Sequence, residues 1–64
     1  MQVKYDKETD ILYISLSNEI VAESDEEKAG IILDYSSSGN IVGIEILQAS
    51  LKMPEPMKIE YIAA

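Results

Sequence analysis

The chain has 64 residues, with 12 Asp and Glu against 5 Lys, a formal net charge of −7, and no Cys, His or Arg. This length suits one small domain over 1–64, and the missing residue types exclude disulfides, thiolate nucleophiles, the usual zinc sites and Ser-His-Asp catalysis. The excess of carboxylates opposes direct binding to nucleic acid or to an anionic membrane. Because the chain has no signal-like apolar segment and no cysteine, we expect a cytoplasmic protein. Because the common catalytic and metal-binding residue types are missing, we expect a non-enzymatic protein with no cofactor and no metal.

Alternation of apolar and polar side chains dominates the first half of the chain and predicts β-strands. The predicted strands are a short one around Val3 and Tyr5, a strong one at 11–16 and a weaker one at 20–24. A polar hairpin turn at 7–10 separates the first two. The charged run at 25–28 favours a solvated loop or a single helical turn.

The second half predicts two further strands and a change of structure near the end. The strands are 30–35 and 41–47, separated by the turn sequence SSSGN, where Gly39 or Asn40 accepts a positive φ. Residues 48–53 suit a short helix stopped by Pro54, the PEP sequence suits an extended corner, and 57–62 alternates like an edge strand. The predicted fold is a mainly β (or β-rich α+β) antiparallel meander of five or six short strands with at most one helical turn.

The strongest strands carry apolar residues on both of their faces. One face is predicted to be buried through Leu12, Ile14, Leu16, Val42, Ile44 and Ile46. The other face retains Ile11, Tyr13, Ile32 and Ile41, whereas a sheet with one wet face alternates more cleanly. This second set is the candidate interface, to be covered by the C-terminal segment 48–62, by a second copy of the chain or by a foreign partner.

Two acidic segments offer alternative chemistry. DYSSSGNIVGIE, from Asp34 to Glu45, fits the spacing of an EF-hand calcium loop, with Ser36 and Ser38 at ligand positions. Its flanks read as strands and not as helices, which favours a β-hairpin; calcium binding is the alternative function. The carboxylates of the first turn, Asp6, Glu8 and Asp10, can also collect a cation, but they are more typical of a solvent-exposed turn.

Three segments together carry a resemblance to a known family: YDKETDILYISL, then ES at 23–24, then GIILDYSSSGNIVGIEILQAS. They resemble the domain-of-unknown-function family 2283 over a family-like core of 3–50, and 51–64 lies outside the pattern as a C-terminal extension. Ser36 departs from the family, whose members often carry an acidic residue there. The resemblance implies a compact, mainly β protein without an established activity, and for some members an antitoxin-like pairing with a small neighbouring protein is suspected. It assigns no catalytic or binding residue.

From these observations we expect a non-enzymatic interaction protein. Its second sheet face would dock a copy of itself, with a dimer favoured, or a small and basic protein partner. The acidic surface would steer the encounter with such a partner.

Overall fold

The structure is a computed structural model that describes residues 1–53 and 58–64. Its elements are β1 (Gln2–Asp6), β2 (Ile11–Ser15), β3 (Glu23–Lys28), β4 (Ile31–Tyr35), β5 (Ile41–Leu47) and α1 (Ala49–Lys52). All strand pairs in the single sheet are antiparallel. The mainly β prediction and the short helix that ends before Pro54 are both confirmed.

The strand order is β1-β2-β5-β4-β3, so the prediction of a simple meander is wrong in its order of strands. Neighbours in sequence pair within β1–β2 and within β3–β4–β5, whereas the link 16–22 carries the chain from β2 to the far edge. That crossing spans three strand spacings, about 14 Å, and seven residues reach about 23 Å. As a result β5, a strongly apolar strand, is central, and the side chains of the two edge strands are exposed.

The acidic edge strand β3 differs from the prediction. The run 25–28, expected to be a loop or a helical turn, belongs to β3 and pairs with β4. The predicted strand at 20–24 contributes only its last two residues, and Ile20 is 87% exposed. An edge strand with both faces in water needs no apolar alternation, so its sequence resembles that of a loop.

One face of the sheet, here called the aliphatic face, holds the small core. Its side chains follow from the strand register and include Val3, Tyr5, Leu12, Ile14, Ile31, Leu33, Val42, Ile44 and Ile46. Leu12, Val42 and the helical Ala49 are the buried apolar residues of the described chain. Leu16, predicted to be buried with them, is 42% exposed because it lies beyond the end of β2.

The described end of the chain returns to the aliphatic face. Residues 58–64 are irregular, so the edge strand predicted at 57–62 is wrong for its described part. Tyr61 lines a shallow depression together with Met1 and Leu16, and Leu16 continues the alternation of the aliphatic face. Position 57 and the PEP corner at 54–56 lie outside the described residues.

Asp10 anchors α1 to the sheet. Its carboxylate accepts hydrogen bonds from the Tyr5 hydroxyl at 2.6 Å and from the Ser50 backbone N–H and hydroxyl at 3.0 and 2.7 Å. The hydrogen bonds from Tyr5, and then those from Ser50, hold the pKa of Asp10 below its ordinary value. This acidic turn therefore fixes the helix, and Asp6 accepts the backbone N–H of Glu8 within it.

No helix of the described residues is long and apolar enough to cross a membrane.

Candidate functional site

The second face of the sheet, here called the carboxyl face, combines charged, apolar and aromatic side chains. The register places one residue from each strand in a line across its middle. From β1 to β3 this central row is Lys4, Tyr13, Glu45, Ile32 and Glu26. Because adjacent members are paired directly across a single strand spacing, their side chains are neighbours on the surface.

A buried carboxyl group lies beside the central row. Asp34 in β4 is only 3% exposed and accepts a 2.6 Å hydrogen bond from the Ser24 hydroxyl on β3. Its partner in the register is Gly43 on β5, which has no side chain. A Cβ atom at Gly43 would lie 2.5 Å from the Tyr13 hydroxyl, so the missing side chain leaves room for Tyr13 to lie across β5 toward Asp34.

The ionisation of this cluster is unusual because two carboxyl groups share it. Burial, and then hydrogen bonding with Asp34 and its charge, raises the pKa of Glu45. Burial, and then the charge of Asp34, raises the pKa of the Tyr13 hydroxyl. No lysine of the described residues forms an ion pair with either carboxyl group. Glu45 therefore holds a proton more tightly than an ordinary surface glutamate.

We expect Glu45→Gln to stabilise the protein at neutral pH. Because the folded chain holds the Glu45 proton more tightly than the unfolded chain, this stabilisation by the proton is complete below the ordinary pKa of 4.5 and is lost as the pH rises through the folded value. Glutamine is neutral throughout that window. Urea midpoints of dilute wild type and variant should diverge as the pH rises above 4.5. If the two midpoints instead change in parallel as the pH rises, ionisation of Glu45 does not destabilise the folded chain.

The residues of the predicted interface are only partly brought together. Ile11 and Tyr13 lie on the carboxyl face in β2, and Ile32 joins them from β4 on the other side of β5. A register shift between Asp34 and Tyr35 places Ile41 opposite Tyr35. This bulge separates Ile41 from the other three residues, and strand alternation alone does not reveal it.

The segment 34–45 forms a β-hairpin. Asp34 and Glu45 lie on the strands, while Ser36 and Ser38 lie in the turn with their hydroxyl oxygens 3.1 Å apart. Gly39 has a φ of 84°, as the turn sequence predicts. Residues 1–53 and 58–64 contain no group of three or more acidic side chains arranged to hold a metal ion. Calcium binding by this segment stays a prediction, and the geometry of the hairpin adds no support for it.

Sequence reasoning did not identify the Asp34 cluster. The signal was available, because Asp34 is a single carboxylate inside the apolar strand sequence GIILDY. Alternation also places Glu45 and Gly43 on the same face. What the sequence alone does not give is the pairing of β3 with β4, which brings Ser24 to Asp34.

The fold and the site define a class: a small, single-layer antiparallel β domain. The family model described as "Protein of unknown function (DUF2283)" matches residues 2–50. The chain therefore belongs to this family, which confirms the resemblance of the sequence. Searches of curated proteins and of solved structures give no match.

Proposed function

We propose that the protein is a non-enzymatic interaction module that binds another protein chain through its carboxyl face. The observation that carries the proposal is that this face combines partly exposed apolar side chains with charged groups, whereas the partly exposed side chains of the aliphatic face are almost all apolar. Ile11, Tyr13 and Ile32 are all partly exposed there, and the described end of the chain lies at the aliphatic face instead. Partly exposed aliphatic and aromatic side chains on one flat surface are typical of a contact surface.

The shape of the carboxyl face supports the same proposal. A shallow depression runs over β1, β2 and β5 and is lined by Lys4, Asp6, Thr9, Ile11, Tyr13 and Glu45. Its lining combines the apolar Ile11 and the aromatic Tyr13 with one lysine and two carboxyl groups. An interface of this composition gains affinity from the burial of the apolar centre and specificity from the polar rim.

A non-enzymatic role is supported by the chemistry of the side chains. The sequence has neither His nor Cys, and the only ionisable groups at the buried cluster are carboxyl groups and tyrosine. The hydrogen bonds of the cluster run between side chains of the sheet and lock Asp34 to Ser24. Such a network fixes the shape of the face and presents Glu45 to a docked surface.

The test is to place a charge at the centre of the carboxyl face. Tyr13→Glu should weaken every protein association of the chain by at least about tenfold, because it buries an unpaired charge in the contact. Tyr61→Glu is the matched control, since Tyr61 is 78% exposed and lies at the other face. Association is measured by sedimentation of the purified protein and by quantitative affinity capture from its native lysate.

A second variant protects the test against misfolding, because a carboxylate introduced at position 13 lies next to Asp34. Ile11→Glu changes the same face at a position that the Asp34 cluster does not use. Both variants should keep the far-ultraviolet circular dichroism of the wild type. If both are folded and both retain every association of the wild type, the proposed function is wrong.

A further inference from the structure

We propose that the carboxyl face docks a second copy of this chain, in a face-to-face dimer whose two-fold axis runs parallel to β5. The inference rests on the proposed function and names its partner. It comes from the order of the strands and from the charges along the central row.

The strand order makes the central row nearly self-complementary. Because β5 is the third of five strands, a half-turn about an axis parallel to it stacks β1 on β3, β2 on β4 and β5 on β5. Each residue of the row then faces the residue that lies at the same distance from β5 on the opposite side of the other copy's row. The facing pairs are Lys4 with Glu26, Tyr13 with Ile32, and Glu45 with Glu45. A self-matching patch of this kind is what a two-fold dimer requires.

Charge selects this axis over the other in-plane choice. An axis perpendicular to the strands would stack each strand on itself, so that Lys4 faces Lys4 and Glu26 faces Glu26. The parallel axis replaces these two repulsive contacts with two opposite-charge contacts. Glu26 accepts the backbone N–H of Gly30 at 2.8 Å through one oxygen, which leaves its other oxygen for Lys4 of the second copy.

The middle of the row supplies the apolar contact and one polar contact. Tyr13 packs on Ile32 twice, once on each side of the axis. The two Glu45 carboxyl groups meet near the axis, where protonation removes their mutual repulsion. The dimer therefore becomes more stable as the pH falls. The other ionisable groups around the two Glu45 side chains are Lys4 and Asp6 from β1, Tyr13 from β2, Asp34 from β4 and Glu26 from β3.

The size of the face sets the expected affinity. Five strands about 4.8 Å apart and five residues at about 3.3 Å each give a footprint of roughly 400 Å² per copy. Stable interfaces bury about 800 Å² per partner, so this dimer is weak and exchanges readily. We expect dissociation constants in the micromolar range, measurable by sedimentation of the purified chain over a concentration series.

The test is a charge swap between the two edge strands. Lys4→Glu puts a carboxylate opposite Glu26 of the other copy, and Glu26→Lys puts an ammonium group opposite its Lys4, so each variant alone should dimerise at least about tenfold more weakly. An equal mixture of the two variants should form heterodimers, in which one facing pair joins two native side chains and the other joins two substituted ones. Both pairs then have opposite signs, so the heterodimer should have wild-type affinity. The double variant should recover the homodimer. Native mass spectrometry identifies each species, and sedimentation gives its affinity.

Net charge provides an internal control for this test. Glu26→Lys makes the chain less negative, so general charge repulsion would strengthen its association, whereas the proposed contact requires it to weaken. Glu23→Lys is the matched control, since Glu23 pairs with Tyr35 on the opposite face of β3. It should leave dimerisation as strong as in the wild type or stronger.

The outcomes separate the dimer from the wider proposal. A chain that stays monomeric at high concentration overturns the dimer; if Tyr13→Glu then removes a foreign partner, the interaction module stands. A dimer that ignores both charge swaps overturns the proposed axis. A dimer that also ignores Tyr13→Glu and Ile11→Glu overturns the dimer and the proposed function together.

Discussion

Leu12→Ala is expected to lower the free energy of unfolding by about 3 kcal/mol. Leu12 is 2% exposed and is the largest fully buried side chain of the described residues. It lies in β2, flanked by Tyr5 on β1 and by Ile46 on β5, so its loss leaves a cavity under the centre of the aliphatic face. A chain of this length has roughly 3–10 kcal/mol of stability, so the variant loses a large part of it.

Urea denaturation measures this effect most directly. The midpoint should fall while the slope stays unchanged, because the same surface is exposed on unfolding. Ile20→Ala is the matched control, since Ile20 is 87% exposed, and it should change the stability by less than about 0.5 kcal/mol. Equal midpoints for the two variants would mean that the core does not lie beneath the aliphatic face.

Gly43→Ala is expected to destabilise the protein by about 1–3 kcal/mol. The new Cβ atom would lie 2.5 Å from the Tyr13 hydroxyl and 3.1 Å from the backbone carbonyl of Ile14. The tyrosine ring must move away, and its contact with Asp34 is lost with it. The same substitution should therefore change the near-ultraviolet circular dichroism, which reports the packing of tyrosine.

A double-mutant cycle assigns the cost of Gly43→Ala to the Tyr13 ring. In a Tyr13→Ala background the added methyl group meets less crowding, so Gly43→Ala should cost clearly less than it does alone. Gly39→Ala is the control at a second glycine: its φ is 84° and nothing lies within 4 Å of the added Cβ atom. It should cost about 1 kcal/mol through backbone strain alone. Additive effects at positions 13 and 43 would contradict the described packing.

The central elements of the fold follow from the sequence because their signals are local. The alternation in IVGIEIL and ILYISL fixes both the strands and the side on which each residue lies. The register confirms this for Ile44 and Ile46 on the aliphatic face and for Tyr13 and Glu45 on the carboxyl face. The short helix before Pro54 is also local, since proline cannot continue it.

The features that the sequence does not reveal depend on how neighbouring strands pair in the sheet. The run 25–28 has no apolar alternation and forms a strand only because β4 offers its edge. The place of Ile41 depends on a bulge between β4 and β5. The buried Asp34 accepts its hydrogen bond from Ser24 on β3, ten residues away in sequence. In each case a contact across the sheet overrides the local pattern.

The most direct measurement of the central claim is a two-dimensional NMR dilution series of the purified chain, repeated in the presence of any partner that it captures. The account predicts that the signals which shift with association belong to the carboxyl face, centred on Ile11, Tyr13 and Ile32. It also predicts that Leu16 and Tyr61, at the aliphatic face, stay unchanged. Shifts confined to Leu16, Tyr61 and their neighbours would contradict the account, because the contact surface would then be the aliphatic face.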